Sequence, residues 1–316
     1  MTLFASSVKS TVMLARVPSA LAIVLSIACP LRSALACSVC GCDPAAGTLG
    51  VDRPSTQSLR LLLEDRALAK ESGANDSAES ERENRLLFRA QYSPVTPLTL
   101  QFELPVYLWK NHLGNTGAQD DSGHGLGDLT LGARYEVVRA GGMTPRHVLA
   151  VTGLLKLPTG PNDRHLSGRG PDEHLQLGTS TFDEIAGLSY VYGNNPWALF
   201  ANLSARVNGA NSRSFQYGNA LFGSLGARRN FLDGQQLLLS LEAQARAAGK
   251  DRLGSDQGYD QDSGGAVYYA TGSAAYALTE DLLVRGLLQV PVATALHGVQ
   301  SEHPVAYLQL SYDFRL

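Results

Sequence analysis

Apolar and polar residues alternate along residues 305–316, VAYLQLSYDFRL, the last stretch of the chain. Every even-numbered residue from Ala306 to Leu316 is apolar, and the odd-numbered residues from Gln309 onwards are polar. A period of two is the pattern of a β-strand that has one apolar face and one polar face. The stretch therefore predicts an amphipathic strand at the end of the chain.

Similar stretches recur through the chain, with almost no helical periodicity between them. The clearest is 98–109, where Leu98, Leu100 and Phe102 alternate with Thr99 and Gln101. An even number of strands brings both ends of the sheet to the same side. The alternation predicts about twelve strands, at residues 57–70, 85–93, 98–109, 128–138, 147–158, 182–192, 197–208, 217–229, 236–246, 267–278, 282–292 and 305–316.

The connections between these strands are alternately short and long. The short ones are 94–97, 139–146, 193–196, 230–235 and 279–281; the long, polar ones are 71–84, 110–127, 159–181, 209–216, 247–266 and 293–304. A soluble β-sandwich, the alternative for the last strand alone, has no reason to alternate in this way. Short periplasmic turns and longer outer loops are typical of an outer-membrane barrel. The sequence therefore predicts an all-β protein, a transmembrane, antiparallel, up-and-down β-barrel whose partner is the lipid bilayer.

The N-terminal region has the features of a secretory signal. Lys9 and Arg16 precede an apolar run at 17–31, and Ala34-Leu35-Ala36 forms an A-x-A site before Cys37. No other stretch approaches the roughly 18 apolar residues of a membrane helix. We expect a signal peptide at 1–36, a cysteine-containing periplasmic segment at 37–56 and an outer-membrane barrel at 57–316.

Charge excludes one class of partner. The chain has 26 basic and 29 acidic residues, so its formal net charge is −3. Nucleic-acid binding needs a concentrated basic face, and we expect no nucleic-acid partner.

The polar faces of the predicted strands carry charges of both signs, which predicts a hydrated or ion-paired lumen. A purely structural role in bracing the barrel wall is an equally good interpretation. Basic residues outnumber acidic ones in this set, and in a narrow pore an excess of one sign favours the opposite ion. We therefore expect weak anion preference. The candidate lumen-lining residues are Arg60, Glu64, Arg66, Arg89, Glu103, Arg134, Glu136, Lys156, Arg206, Arg228, Glu242, Arg246, Arg285, Asp313 and Arg315.

Three cysteines, Cys37, Cys40 and Cys42, form a C-x-x-C-x-C motif at the expected mature N-terminus. Close thiolates suit a soft metal such as Cu(I) or Zn, although a structural zinc site needs a fourth ligand. The alternatives are lipidation of Cys37 and an ordinary periplasmic disulfide with one spare thiol. A metal at these cysteines is the one cofactor that the sequence suggests.

Enzyme motifs are weak. Ser263 and His297 stand in the reverse order to a serine protease and have no evident third member. Two acidic clusters, Asp120-Asp121 and 251–262, fall in outer loops, where they would be solvated or share divalent cations with lipopolysaccharide. We expect no catalytic residues, and we place the histidines in loops or at a strand end: His112, His124, His147, His165, His174, His297 and His303.

Four phrases resemble a bacterial outer-membrane channel family named for the meta-pathway of phenol degradation. They are GLGDLTLGARYEV (125–137), LLKLPTGP (154–161), LGTSTFDEIAGLSYVYGNNPWALFANLSARVNG (177–209) and LLQVPVATALHGVQ (287–300). The resemblance implies an outer-membrane barrel that passes small, often aromatic, solutes. The cysteine motif is not a general mark of that family.

Three functions follow from this sequence. The first is a channel or transporter for small, aromatic or anionic solutes. The second is a structural or partner-binding barrel that uses the cysteine segment for metal or redox contact with a periplasmic partner. The third, a membrane-embedded hydrolase, has the least support.

Overall fold

The computed structural model describes residues 54–72, 79–114, 121–141, 145–165, 173–232, 236–254 and 258–316. The predicted signal peptide and nearly all of the predicted cysteine segment lie outside these residues. The strands are β1 Ser58–Ser72, β2 Glu79–Val95, β3 Leu98–Gly114, β4 Asp121–Leu126, β5 Thr130–Ala140, β6 His147–Lys156, β7 Asp183–Asn194, β8 Trp197–Val207, β9 Ala220–Phe231, β10 Leu237–Ala248, β11 Gly265–Ala277, β12 Leu282–Leu296, β13 Gln300–Glu302 and β14 Val305–Arg315.

Twelve of these strands form one closed antiparallel barrel. Each strand pairs with the next, and β1 closes the sheet by pairing with β2 on one side and with β14 on the other. The short strands β4 and β13 add to the outer ends of β3 and β1. The predicted fold and strand number are therefore confirmed. Within the described ranges, no helix is long and apolar enough to span a bilayer.

The outer wall of the barrel is apolar. On β14, exposed Leu308, Leu310 and Tyr312 alternate with buried Tyr307 and Gln309. The 11 residues of β14, at about 3.4 Å each and tilted by about 40°, span roughly 28 Å, which matches the apolar band of an outer-membrane barrel. Exposed aromatic residues flank this band at both ends. Near the tight turns they include Tyr135, Trp197, Tyr276 and Phe314; near the long loops they include Trp109 and Tyr268.

The structure differs from the sequence prediction mainly at the outer end, where the long loops are. Strands β2 and β3 continue to Glu79 and Gly114, and β4 and β13 were not predicted. These extensions carry polar residues on both faces because both are in water, so they lack the period-two signal. The prediction that His112 and His124 lie in a loop is wrong, since His112 is a buried residue of β3 and His124 belongs to β4.

Candidate functional site in the barrel interior

The side chains that alternate with the exposed apolar residues point into the barrel. Arg315 differs from the other predicted residues, because its side chain is 68% exposed at the turn-bearing rim, where it bonds to Glu280 and Asp281. Five residues are partly exposed: Arg60, Glu103, Arg228, Arg285 and Asp313. The remaining nine are buried: Glu64, Arg66, Arg89, Arg134, Glu136, Lys156, Arg206, Glu242 and Arg246.

Neighbouring strands pair many of these charges. Arg89 Nε donates to Glu103 Oε1 at 2.6 Å between β2 and β3. Arg134 Nη1 donates to Glu136 Oε1 at 3.0 Å within β5. At the turn-bearing end, Arg60 binds both carboxylate oxygens of Asp313, at 2.6 and 2.7 Å. Bidentate pairs of this kind hold both side chains in a defined geometry.

A larger network joins the outer ends of β5 to β8. Lys156 Nζ lies 2.7 Å from Asp128 Oδ2 and 2.9 Å from Asp183 Oδ2, and Arg206 Nη2 lies 3.1 Å from the same Asp183 oxygen. Asp128 and Asp183 are acidic partners that sequence reasoning missed. One feature of the sequence could have indicated them. Each is an acidic residue at the start of a predicted strand, and the adjacent strand carries an inward-facing lysine or arginine.

A second group of charges fills the outer part of the barrel between β10 and β3. Arg246 and Tyr269 both bind the carboxylate of Glu302 on β13. The Arg66 guanidinium lies 5.3 Å from the centre of the Tyr307 ring. On the neighbouring strands, Lys110 is paired with Glu81 and Arg85 with Glu83. The additional acidic residues reduce the excess of basic residues that the predicted lumen set contains.

The segment at residues 173–181 crosses the outer mouth of the barrel, and we call it the inward segment. On one side, Lys110 of β3 donates to the carbonyl oxygen of Gln176 at 3.0 Å. On the far side, the hydroxyl of Tyr217, which precedes β9, donates to the carbonyl oxygen of Glu173 at 2.9 Å. Leu175, between them, is only 2% exposed. Because β3 and β9 lie almost opposite in the strand order, the segment spans the mouth.

Asp128 holds the inward segment against the barrel wall. Its Oδ2 accepts hydrogen bonds from the Thr179 backbone N–H at 2.8 Å and the Thr179 hydroxyl at 3.1 Å. Its Oδ1 accepts one from the Gly160 N–H at 2.9 Å. The backbones of Gly160 and Gly178 touch here, and a Cβ on Gly178 would lie 2.5 Å from Asp128 Oδ1.

Below the inward segment lies a cavity of about 200 Å³. Its floor and walls combine charged residues with an apolar patch formed by Leu154, Ile185 and Phe222. Small residues of β7 and β8, including Gly187 and Ser204, leave room for it. Leu177 and Thr179 of the inward segment line the same cavity. The barrel therefore has open space at mid-height under a mouth that the inward segment covers.

The motifs that suggested chemistry have other roles in the structure. Ser263 Oγ donates to the Asp260 carbonyl oxygen and accepts from the Asp251 N–H, and His297 Nδ1 contacts the Ser263 carbonyl oxygen rather than the hydroxyl. Asp262 Oδ1 accepts from the Val299 N–H. The acidic loop residues therefore bind loop backbone.

No group of three or more His, Cys, Asp or Glu residues that could hold a metal occurs in the part of the chain that the structure describes. The three candidate ligands Cys37, Cys40 and Cys42 lie outside that part, so a metal there stays a prediction.

Comparison with solved structures identifies the same architecture. An outer membrane channel from Pseudomonas putida F1 is similar over 84% of this chain and 98% of its own, with a TM-score of 0.66 and 20% identity. The translocator domain of the autotransporter NalP from Neisseria meningitidis covers 81% of this chain and 88% of its own (TM-score 0.49, 9% identity). The CymD monoaromatic hydrocarbon channel is similar over 83% of this chain and 89% of its own (TM-score 0.44, 11% identity). At 20% identity the likeness to the Pseudomonas putida channel concerns the fold alone.

No curated protein matches the sequence. A family model, described as the MetA-pathway of phenol degradation, matches residues 84–294, which is more than half of the chain. The match covers β3 to β11 and most of β2 and β12, so it includes the inward segment and every cavity-lining residue except Glu64. The chain therefore belongs to the MetA-pathway of phenol degradation family.

Proposed function

We propose that this protein is an outer-membrane channel that passes small solutes through the barrel interior. The observation that carries the proposal is the cavity of about 200 Å³ at mid-height, lined by charged, polar and apolar side chains. A barrel that served only as an anchor would gain stability by filling this space, because empty volume forfeits packing contacts. The apolar, lipid-facing wall supports placement in the outer membrane.

The cavity supports a solute of about one ring in size. A cavity of roughly 150 Å³ in another protein accommodates benzene, and this one is somewhat larger. The family description refers to phenol degradation, which is consistent with small aromatic solutes. The proposal contains no chemical step: the solute enters and leaves unchanged.

The cysteine segment carries a separate, weaker proposal. Cys37, Cys40 and Cys42 would present three thiols in the periplasm, where they suit a soft metal or redox contact with a partner protein. Titration of the mature protein with Cu(I), with a Cys40→Ser variant as the control, tests for the metal.

Planar-bilayer recording of the purified protein tests the channel. We expect discrete conductance steps. A correctly folded, inserted protein that gives no steps at any voltage would refute the channel, and release of fatty acids from the bilayer would identify a hydrolase instead.

A further inference from the structure

An uncharged polar belt lines one side of the cavity. Ser189, Asn202, Ser224 and Gln244 occupy paired positions on β7, β8, β9 and β10, so they form a continuous row across the sheet. Asn202 donates to the Ser224 hydroxyl at 3.0 Å. The two serines of this row have short side chains, which leave space in the interior.

Glu242 stands beside this belt and is a buried carboxylate without an ion pair in the described structure. It is 6% exposed and lines the cavity. Its neighbours Ser224 and Gln244 interact with the carboxylate, yet Oε1 has no hydrogen-bond partner within the described structure. Arg285 attracts the Glu242 carboxylate electrostatically, but no basic group of the described residues lies within salt-bridge distance of it. Glu64, the other buried glutamate of the cavity lining, has no ion pair there either, but its Oε2 accepts a hydrogen bond from Gln309.

The three basic residues of the cavity lining, Arg85, Lys156 and Arg206, each have an acidic partner, although Arg206 Nε itself has no hydrogen-bond partner in the described structure. Lys156 is shared by Asp128 and Asp183, and Arg206 also binds Asp183. An incoming carboxylate would have to compete with these internal partners. A hydrogen-bond donor, in contrast, meets at Glu242 Oε1 a carboxylate oxygen to which no protein group of the described structure donates.

An apolar patch completes the site. Leu154 and Ile185 are paired neighbours on β6 and β7, and Phe222 of β9 faces the same space. A compact apolar body can pack on this patch while its polar group reaches the belt. Pockets with an apolar lining and few polar groups take their specificity from those polar groups.

We propose that the cavity is a binding site for solutes that carry a hydrogen-bond donor, a hydroxyl or an ammonium group, on a single-ring apolar body, with Glu242 as the acceptor. The proposal rests on the channel function and names the solute class that the channel selects.

Four small ring compounds of similar size test whether a hydrogen-bond donor on the solute determines its affinity. Benzyl alcohol and benzylammonium carry one, benzyl methyl ether replaces the hydroxyl hydrogen by a methyl group, and benzoate is only an acceptor. We expect the two donors to bind the purified, reconstituted protein at least about tenfold more tightly than the ether or benzoate, as one hydrogen bond to a charged group provides. Titration calorimetry measures this without any need for transport, so it is independent of the conductance test.

Two substitutions separate charge from hydrogen bonding. Glu242→Gln keeps an acceptor and removes the charge, so benzylammonium should lose about tenfold in affinity while benzyl alcohol loses less. Glu242→Leu removes the acceptor, so the donors should bind no better than the ether. Glu280→Gln makes the same charge change in an exposed tight turn and should leave all four affinities unchanged.

Equal affinity for benzyl alcohol and its methyl ether, or donor binding that survives in Glu242→Leu, would overturn the assignment. Because benzoate is among the probes, a site for anions would be recognised by its tighter binding. Donor selectivity without conductance would reject the channel and leave a binding barrel, and conductance without donor selectivity would reject only this inference.

Discussion

Replacing Asp128 by alanine should release the inward segment from the barrel mouth. Its carboxylate accepts hydrogen bonds from the backbone N–H groups of Gly160 and Thr179, and it forms an ion pair with Lys156 at 2.7 Å. Breaking a buried ion pair costs about 3–5 kcal/mol. We expect a cost of about 3 kcal/mol because Lys156 keeps its second partner, Asp183, at 2.9 Å.

A loss of about 3 kcal/mol corresponds to a rise of roughly 100-fold in the population of the released segment. Hydrogen exchange measures this population directly, because the amides of residues 173–181 exchange when the segment opens. We expect exchange about 100-fold faster in Asp128→Ala and a larger or noisier single-channel current. Asp128→Asn, which keeps an acceptor, should show a smaller effect.

Two glycine variants act as a matched pair for the same experiment. Gly178→Ala places a Cβ 2.5 Å from Asp128 Oδ1 and should also release the segment. Gly153→Ala is the control and should leave the segment in place, because a Cβ on Gly153 meets nothing within 4 Å. Unchanged exchange of residues 173–181 in both Asp128→Ala and Gly178→Ala would refute the idea that these contacts hold the segment in place.

Three further predictions concern assembly, pH and selectivity. Phe314→Ala removes a lipid-facing aromatic from the closing pair of β1 and β14 and should reduce the heat-modifiable, membrane-inserted fraction more than Tyr259→Ala in an outer loop; equal fractions would contradict this. Burial raises the pKa of Asp251, in the loop after β10, to about 6, so its contribution to loop stability is complete below its unfolded pKa and is lost as the pH rises through about 6; the protection of the Gly218 amide against exchange, relative to an unfolded chain at the same pH, should be greater at acid pH, and Asp251→Asn should remove the difference. Reversal potentials in a salt gradient should show weak anion preference, and a preference for cations would show that the inward acidic residues dominate.

The transmembrane part of the fold could be predicted from the sequence because lipid and lumen impose opposite requirements on alternate residues. Leu308 and Leu310 contact one environment and Gln309 the other, so the strand and its facing are visible in the residue types alone. The outer ends could not be predicted in this way. Both faces of β13 and of the outer part of β2 are polar, and no periodicity distinguishes them from a loop.

The site was only partly predictable for a different reason. Inward-facing charges such as Lys156 and Arg206 follow from strand parity, but their shared partner Asp183 depends on which strands are neighbours. The cavity depends on small residues that lie together on several strands, such as Gly187 and Ser204. The inward segment folds back from a loop, and nothing in its residue pattern indicates this. Such features arise from contacts between residues distant in sequence.

Passage of solutes through the barrel interior is tested most directly by measuring solute flux through a variant whose cavity is blocked. Ser204 of β8 lines the cavity, and its neighbour Ala205 is exposed on the outer wall. Liposome swelling should show rapid entry, through the unmodified protein, of solutes about the size of benzyl alcohol. The flux of these solutes should fall strongly in Ser204→Trp and stay normal in Ala205→Trp. Equal flux through both tryptophan variants, at equal amounts of folded protein, would contradict a path through the barrel.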